Sequence, residues 1–389
     1  MGGQTHGAPS LHVLFLNWRD SRNPEGGGSE VYVERIAAEL TALGHRVTIL
    51  CSAHAHGPAE ERNVAGVSIL RRGGRLTVYL RAAMLYLAGW LGFGRLSARG
   101  LGRPDVVVDV CNGLPFFSVW YRRGPVIALV HHVHREQWPV VLPRRLARLG
   151  WWIESRLAPW AYRRCAYVAV SEATRVELAG LGVAPARVTI IHNGTPEATS
   201  PLVERGPSPS IVTLGRLVPH KRVEVALHTV AALRDRYPDL ELVVAGQGWW
   251  EPRLRSLVDD LGIADRVRFA GYVSEADKDQ LLSRAWVALM PSLKEGWGLT
   301  IVEAGIRGTP TVAFREAGGV AEALVDGVTG LLADDDDEFV ALVGDLLADE
   351  QRRKLMGEAA ITHAERFTWP AAGQAFADLV EGVAGYRLP

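Results

Sequence analysis

Short apolar runs alternate along the 389 residues with longer stretches whose apolar positions recur three and four apart. Leu11 to Trp18 is the first run, a predicted strand. Ser29 to Leu43 follows with Val31, Ile36, Ala37, Leu40 and Leu43 at helical spacing, Ser29 as its predicted cap and Gly44 as its stop. Arg46 to Cys51 opens the next strand. Further strand-like runs stand at Val67–Leu70, Val106–Val110, Val126–His131, Tyr167–Ser171 and Val188–Ile191. Asn193-Gly194 reads as a turn, and Thr195 to Ser210, rich in Pro, Ser, Thr and Glu, as a linker. The alternation then restarts. Strands are predicted at Ile211–Leu214, Leu240–Ala245, Val267–Phe269, Trp286–Met290 and Thr309–Phe314. Helices fall at Val223–Asp235, Glu251–Leu261, Glu275–Ser283 and Leu299–Ile306, and the tail from Glu338 to Val383 is helical. The pattern predicts an α/β chain of two doubly wound domains, 1–198 and 199–368, each a parallel sheet covered on both faces.

Composition adds constraints. With 48% hydrophobic residues the chain can build two cores. Zero formal net charge argues against a nucleic-acid partner. Only four of 43 basic residues are lysines (Lys221, Lys278, Lys294, Lys354), which makes each one worth placing. Cys51, Cys111 and Cys165 lack metal-ligand spacing and suit a reducing compartment as small buried thiols. The first ten residues lack the regions of a signal peptide and read as a disordered lead-in. Ala82 to Gly94 is apolar but only thirteen residues long, under the roughly 20 needed to cross a bilayer, so it is expected to be a buried or interfacial helix. Arg135 to Cys165 interleaves seven arginines with four tryptophans and Tyr162. Two readings stay open there: amphipathic helices on an anionic membrane surface, or core helices with a solvated arginine face.

Candidate chemistry sits where predicted strands end. The loop Asn23 to Glu30 carries three glycines, but Val31 stands where a dinucleotide fingerprint needs its third glycine, and the second strand ends in Cys51-Ser52 without a ribose-binding acid. A nicotinamide cofactor is not expected, and no Gly-x4-Gly-Lys-Ser/Thr phosphate loop occurs. Gly27 and Gly28 could let backbone approach a ligand, or form a surface turn. In Val130-His-His-Val-His134 the residue just after the apolar run, His131, is the preferred polar contact. Arg216 and Lys221 follow the first strand of the second half and offer a fork and a point charge to diphosphate oxygens. Gly246, Gly248 and Gly271-Tyr272 end its next two strands. Met290 to Gly305 runs strand, glycine-bearing turn, helix start: an anion seat bracketed by Glu295 and Glu303. The aspartates Asp334 to Asp337 are expected as acids at a helix start rather than metal ligands.

Gly215-Arg216-x4-Lys221, Gly246-x-Gly248 and Glu295-Gly-Trp-Gly-Leu-x3-Glu303, with the N-terminal glycine loop and Asn193-Gly194, resemble the family 4 retaining glycosyltransferases of GT-B fold over nearly the whole chain. The resemblance implies two Rossmann-like domains facing a cleft, with the last helix, about 369–389, crossing back onto the first. It implies that Arg216 and Lys221 hold a donor diphosphate and that Glu303 binds ribose. Glu295, with the backbone following it through Gly296, Trp297 and Gly298, would take the donor sugar's hydroxyls, backbone N–H groups near Leu299 and Thr300 a phosphate oxygen, and His131 would lie near the anomeric carbon. Gly246 and Tyr272 would border the base. Trp297 replaces the usual phenylalanine, which is expected to reshape the sugar pocket. The implied reaction is metal-independent, front-face transfer of a hexose from a nucleoside diphosphate sugar, UDP or GDP type, to an acceptor hydroxyl on a glycan, lipid-linked or small molecule. A cytoplasmic enzyme, peripheral at the inner membrane face if the arginine segment lies on lipid, is expected. Two other readings remain: a glycoside hydrolase using Glu295 and Glu303, and a non-catalytic sugar-nucleotide-binding subunit.

Overall fold

The computed structural model describes residues 10–23, 26–196, 201 and 203–385. The lead-in expected at the chain start and part of the Thr195–Ser210 linker lie outside the described residues. The chain runs β1 (His12–Leu16), α1 (Gly28–Ala42), β2 (Arg46–Cys51), β3 (Glu60–Arg62), β4 (Ser68–Arg71), α2 (Val78–Trp90), β5 (Val106–Val110) and β6 (Val126–Val130). Three short helices follow, α3 (Trp138–Val141), α4 (Arg144–Trp152) and α5 (Ala158–Ala161), then β7 (Ala166–Ala169), α6 (Glu172–Gly180) and β8 (Val188–Ile190). These strands form one eight-stranded sheet of order β3-β4-β2-β1-β5-β6-β7-β8, parallel except for the β3–β4 pair.

The second sheet uses β9 (Ser210–Leu214), α7 (Val223–Leu233), β10 (Glu241–Ala245), α8 (Glu251–Leu261), β11 (Val267–Gly271), α9 (Glu275–Arg284) and β12 (Val287–Met290). It continues with α10 (Leu299–Ile306), β13 (Thr311–Phe314), α11 (Val320–Ala323) and β14 (Gly330–Ala333), and the chain ends in α12 (Asp336–Ala348), α13 (Glu350–Ala364) and α14 (Trp369–Gly385). Its six strands lie in the order β11-β10-β9-β12-β13-β14. β1, β5, β6 and β12 are buried along their whole length, which is why they read as apolar runs, broken only by His12 and Asp109, rather than as alternating ones.

The chain crosses between the two sheets twice, side by side. Thr195 donates its N–H to the Phe367 carbonyl at 2.8 Å and bridges Thr368. A Cβ on Gly194 would run into Trp369, so this position carries the return crossing rather than the free turn expected. Beyond it α14 lies along α1, with Phe376 against Phe15 at 5.7 Å between ring centroids.

Several expectations are corrected. α1 begins at Gly28, one residue before the expected cap. The buried carboxylate of Glu30 folds back to accept the Gly27 N–H at 2.7 Å, and the Ser29 hydroxyl is spent on that same carboxylate at 2.9 Å. β3 went unread because its Glu-Glu-Arg sequence has no apolar signal; its side chains pair with Arg71, Arg72 and Arg95 instead. The Arg135–Cys165 segment is broken at Ile153–Leu157 by a π-helical turn. The aspartate run caps α12: the Asp335 carboxylate accepts the Glu338 N–H at 2.8 Å, while Asp334 and Asp336 pair with Arg315 and Arg222.

Candidate functional site

Strand order reverses between β1 and β5 in one sheet and between β9 and β12 in the other, and open α/β sheets bind ligands at the carboxyl ends of such strands. The loop after β1 carries Gly27 and Gly28, that after β9 carries Arg216 and Lys221, and that after β12 carries Glu295 to Gly298. These loops meet. A Cβ on Gly27 would lie 3.3 Å from the Arg216 guanidinium Nε, and one on Gly28 would be 2.9 Å from the Leu299 side chain. The first turns of α1 and α10 therefore face each other with Arg216 between them. Their leading N–H groups, including those of Leu299 and Thr300, have no partner within their own helix. A small open cleft lined by Gly215, Arg216, Lys221, Pro291 and Ser292 lies at the β9 and β12 ends.

Not every glycine leaves room for a ligand. Gly246, at φ +133°, needs to be glycine because a Cβ would collide with the Gly215 carbonyl, and a Cβ on Gly248 would collide with Leu217. Both let the protein's own backbone close up, with the Leu217 N–H on the Gln247 carbonyl at 2.9 Å. Tyr272 extends into solvent, 79% exposed, beyond Gly271.

The carboxylates are each held by a lysine. Lys221 donates to Glu295, and Lys278 on α9 donates to Glu303 at 2.8 Å. Burial pushes the Glu295 carboxyl up, but the Lys221 ammonium and hydrogen bonds outweigh it and leave it below the usual carboxylate range. At Glu303 burial wins over Lys278, and the carboxyl rises. A third lysine, Lys294, reaches across the cleft to Glu177 on α6. Glu322 spans the same gap, accepting the Glu172 and Ala173 N–H groups at 2.8 and 3.0 Å at the start of α6. Lys278, Lys294 and Glu322 were not read as site residues. The rarity of lysine was the one signal that pointed to the first two.

His131 directly follows β6, buried, with its ring edge-on to Tyr32 at 5.2 Å and its Nε2 without a partner. Its carbonyl lies where a Cβ on Gly296 would be, so this residue touches the Glu295 loop. Trp297 is turned away from the cleft. Its ring is 97% covered, stacked on His192 at 4.4 Å and against Phe367 at 4.8 Å. The tryptophan thus fills the seam where the chain crosses between sheets, and the expected reshaping of a sugar pocket is replaced by an interdomain packing role.

Burial, then the neighbouring His134, lowers the His131 pKa to about 3, and burial with Lys221 and Arg216 lowers that of His220 to about 4. Both rings are neutral between about pH 5 and 8. The pH profile of activity is therefore expected to show no ionisation near the usual histidine value that disappears in His131→Gln; a limb lost with that exchange would contradict this electrostatic picture.

The family described as Glycosyl transferases group 1 matches residues 196–363, and the one described as Glycosyltransferase Family 4 matches residues 26–198. The GDP-mannose-dependent alpha-(1-6)-phosphatidylinositol monomannoside mannosyltransferase of Mycolicibacterium smegmatis is 34% identical over 200 residues, 48% of this chain and 52% of its own length. The D-inositol 3-phosphate glycosyltransferase of Corynebacterium diphtheriae is 38% identical over 169 residues, 41% of this chain and 39% of its own length. The chain thus spans about half the length of the curated relatives it matches, or less. Among solved structures, sucrose-phosphate synthase from Thermosynechococcus elongatus is similar with a TM-score of 0.79 at 17% identity, covering 96% of this chain and 99% of that one. Anabaena HepE in complex with UDP-glucose is similar with a TM-score of 0.72 at 18% identity, covering 96% and 100%. At these identities the structural likeness speaks to the fold alone.

Proposed function

The chain belongs to the family 4 glycosyltransferases and takes their GT-B fold, and from that premise we propose that it moves a hexose-type sugar from a nucleoside diphosphate sugar to an acceptor hydroxyl. Transfer retains the anomeric configuration and needs no divalent metal. The observation that carries this reading is the meeting of Arg216, Lys221 and the first turns of α1 and α10 at the two switch points. Negative charge builds on the departing diphosphate in the transition state, and donors already aimed at that place lower the barrier most. Retention follows from attack on the same face, with a diphosphate oxygen taking the acceptor proton. Glu303 binds the ribose and Glu295 the sugar hydroxyls. The donor is of the UDP or GDP type, and the acceptor is a glycan, a lipid-linked or a small-molecule hydroxyl. The compartment proposed is the cytoplasm; the free thiols of Cys51, Cys111 and Cys165 support that reading, since they suit a reducing environment.

A hydrolase using Glu295 and Glu303 would need one carboxylic acid free to protonate a leaving oxygen. Here each carboxylate accepts from a lysine ammonium, which favours hydroxyl binding over acid–base work.

Saturation with the right donor, at about a hundredfold its Kd, is expected to add about 2.7 kcal/mol to folding stability. A thermal-shift series with UDP, GDP, ADP and TDP sugars reads this directly, and the responding donor is then offered to acceptors with and without a chelator while NMR follows the product anomer. No shift with any of the four would sink the donor assignment, inversion the front-face mechanism, and loss of turnover on chelation the metal independence. Binding without transfer or slow donor hydrolysis would point to a binding subunit.

A further inference from the structure

Charge on this neutral chain is strongly sorted. Residues 62–164 contain 17 arginines and no lysine against four acids, Asp105, Asp109, Glu136 and Glu154. Three of those acids are engaged locally: Asp109 is buried beneath Ser118 and Tyr162, Asp105 accepts the His12 N–H, and Glu154 holds His134 and Trp138. Arg71, Arg72 and Arg95 are paired with Glu60 and Glu61 of β3, but most of the remaining arginines face out, among them Arg75, Arg81, Arg99, Arg103 and Arg123 around α2.

α2 itself is two-faced. Val78, Ala82, Tyr86 and Gly89 are buried, while Leu80, Met84 and Leu87 repeat along the opposite side and Leu91 and Phe93 continue beyond its end. Leu80 is 65% exposed and Phe93 71%, so this is a stripe open to water rather than the rim of a core. Among the described residues no helix is long and apolar enough to cross a membrane, and at thirteen residues α2 extends only about 20 Å. At the end of α2 the exposed Trp90 lies under the Arg123 guanidinium at 5.8 Å. On the buried side of the helix Tyr86 meets Tyr121 at 5.7 Å, next to the exposed Trp120, and Phe117 packs toward the buried Tyr162 beside α5. There α4 and α5 expose Leu146, Leu149, Trp152 and Trp160 among further outward arginines.

We infer that this face of the N-terminal domain docks on an anionic lipid surface, α2 lying in the plane with its leucines in the acyl boundary and its arginines on the headgroup phosphates. The occupant follows from charge. Two copies of this chain joined through the face would bring two arginine fields together, while an anionic leaflet neutralises one. The inference goes beyond the donor-site reading and does not depend on it.

Co-sedimentation with vesicles of phosphatidylglycerol and phosphatidylcholine in equal parts, against phosphatidylcholine alone, tests it. The protein is expected to sediment with the anionic vesicles only. Leu80→Gln with Leu87→Gln should lower partitioning by about tenfold or more, and Arg81→Glu by about fivefold or more, the scale for one basic residue near such a surface. Both variants alter exposed side chains and should keep the nucleotide-induced thermal shift, so loss of vesicle binding is separated from misfolding and from failure of the donor assignment. Wild-type protein left in the supernatant, or variants that sediment like wild type, would overturn the inference. So would a dimer in solution that the leucine exchanges dissolve, or duplex DNA bound with arginine but no leucine dependence.

Discussion

Replacing Lys221 with alanine is expected to lower kcat by roughly 10²-fold or more, the scale of losing one donor aimed at developing charge. Two effects act together. The departing diphosphate loses a compact cation at the end of β9, and Glu295 loses the ammonium that holds its buried carboxyl ionised. Burial alone then pushes that carboxyl up, so the residue assigned to the sugar hydroxyls changes its hydrogen-bonding character at the same time. Because the charge on the diphosphate is largest in the transition state, the loss should fall on kcat more than on KM. Lys221→Arg keeps the charge but replaces a point with a planar fork, and only partial recovery is expected. Steady-state transfer, or slow hydrolysis of the donor where no acceptor is known, measures this. Arg216→Ala should behave alike, and near-normal turnover in either alanine variant would remove the diphosphate role from both residues.

The second large effect is expected on stability. Lys278→Met leaves Glu303 as a buried carboxylate beside Glu275 and Asp279 with its cation gone. Breaking one partner out of a buried pair costs about 3–5 kcal/mol, whereas replacing both partners is often close to neutral. The double variant Lys278→Met with Glu303→Leu should therefore recover most of the loss in denaturant unfolding, while its nucleotide affinity stays low. The sign with pH is also set. Burial already holds the Glu303 carboxyl above its unfolded value, and without Lys278 it rises further, so the folded state of the single variant takes up a proton before the unfolded chain does. The penalty is then largest at neutral pH and shrinks as pH falls toward the raised carboxyl value. A penalty that grows on acidification would show that the Lys278–Glu303 contact is not what stabilises this corner.

Strand and helix alternation was legible because parallel strands buried on both faces leave long apolar runs: β6 and β12 are unbroken, β1 is apolar after His12, and β5 is interrupted only by the buried Asp109. The charged edge strand β3 left no such mark. Within the site, Arg216, Lys221, Glu295 and Glu303 could be picked out by spacing alone, since each lies just past a strand end or on the helix that follows. What spacing could not report is pairing between distant segments. Lys278 is 25 positions from Glu303 and Glu177 is 117 from Lys294, so the counter-charges of the cleft become visible only when the sheets are set side by side. Trp297 shows the opposite failure. It sits inside a ligand-facing motif, yet its ring fits the crossing seam, and motif position says nothing about which way a side chain turns.

The scarcity of lysine makes the protein its own chemical reporter. Lys354 pairs with Glu350 one helical turn away and is 66% exposed, whereas the side chains of Lys221, Lys278 and Lys294 are 12–21% exposed and each is tied to a carboxylate. A limiting amount of an amine-acylating reagent should mark Lys354 first among the lysine side chains, and the cleft lysines slowly. Peptide mass mapping of a single sample then separates two events. Labelling of Lys294 counts how often the domains part, and protection of Lys221 and Lys278 by an added nucleotide sugar counts how fully the donor site is filled, with no engineered probe in either domain.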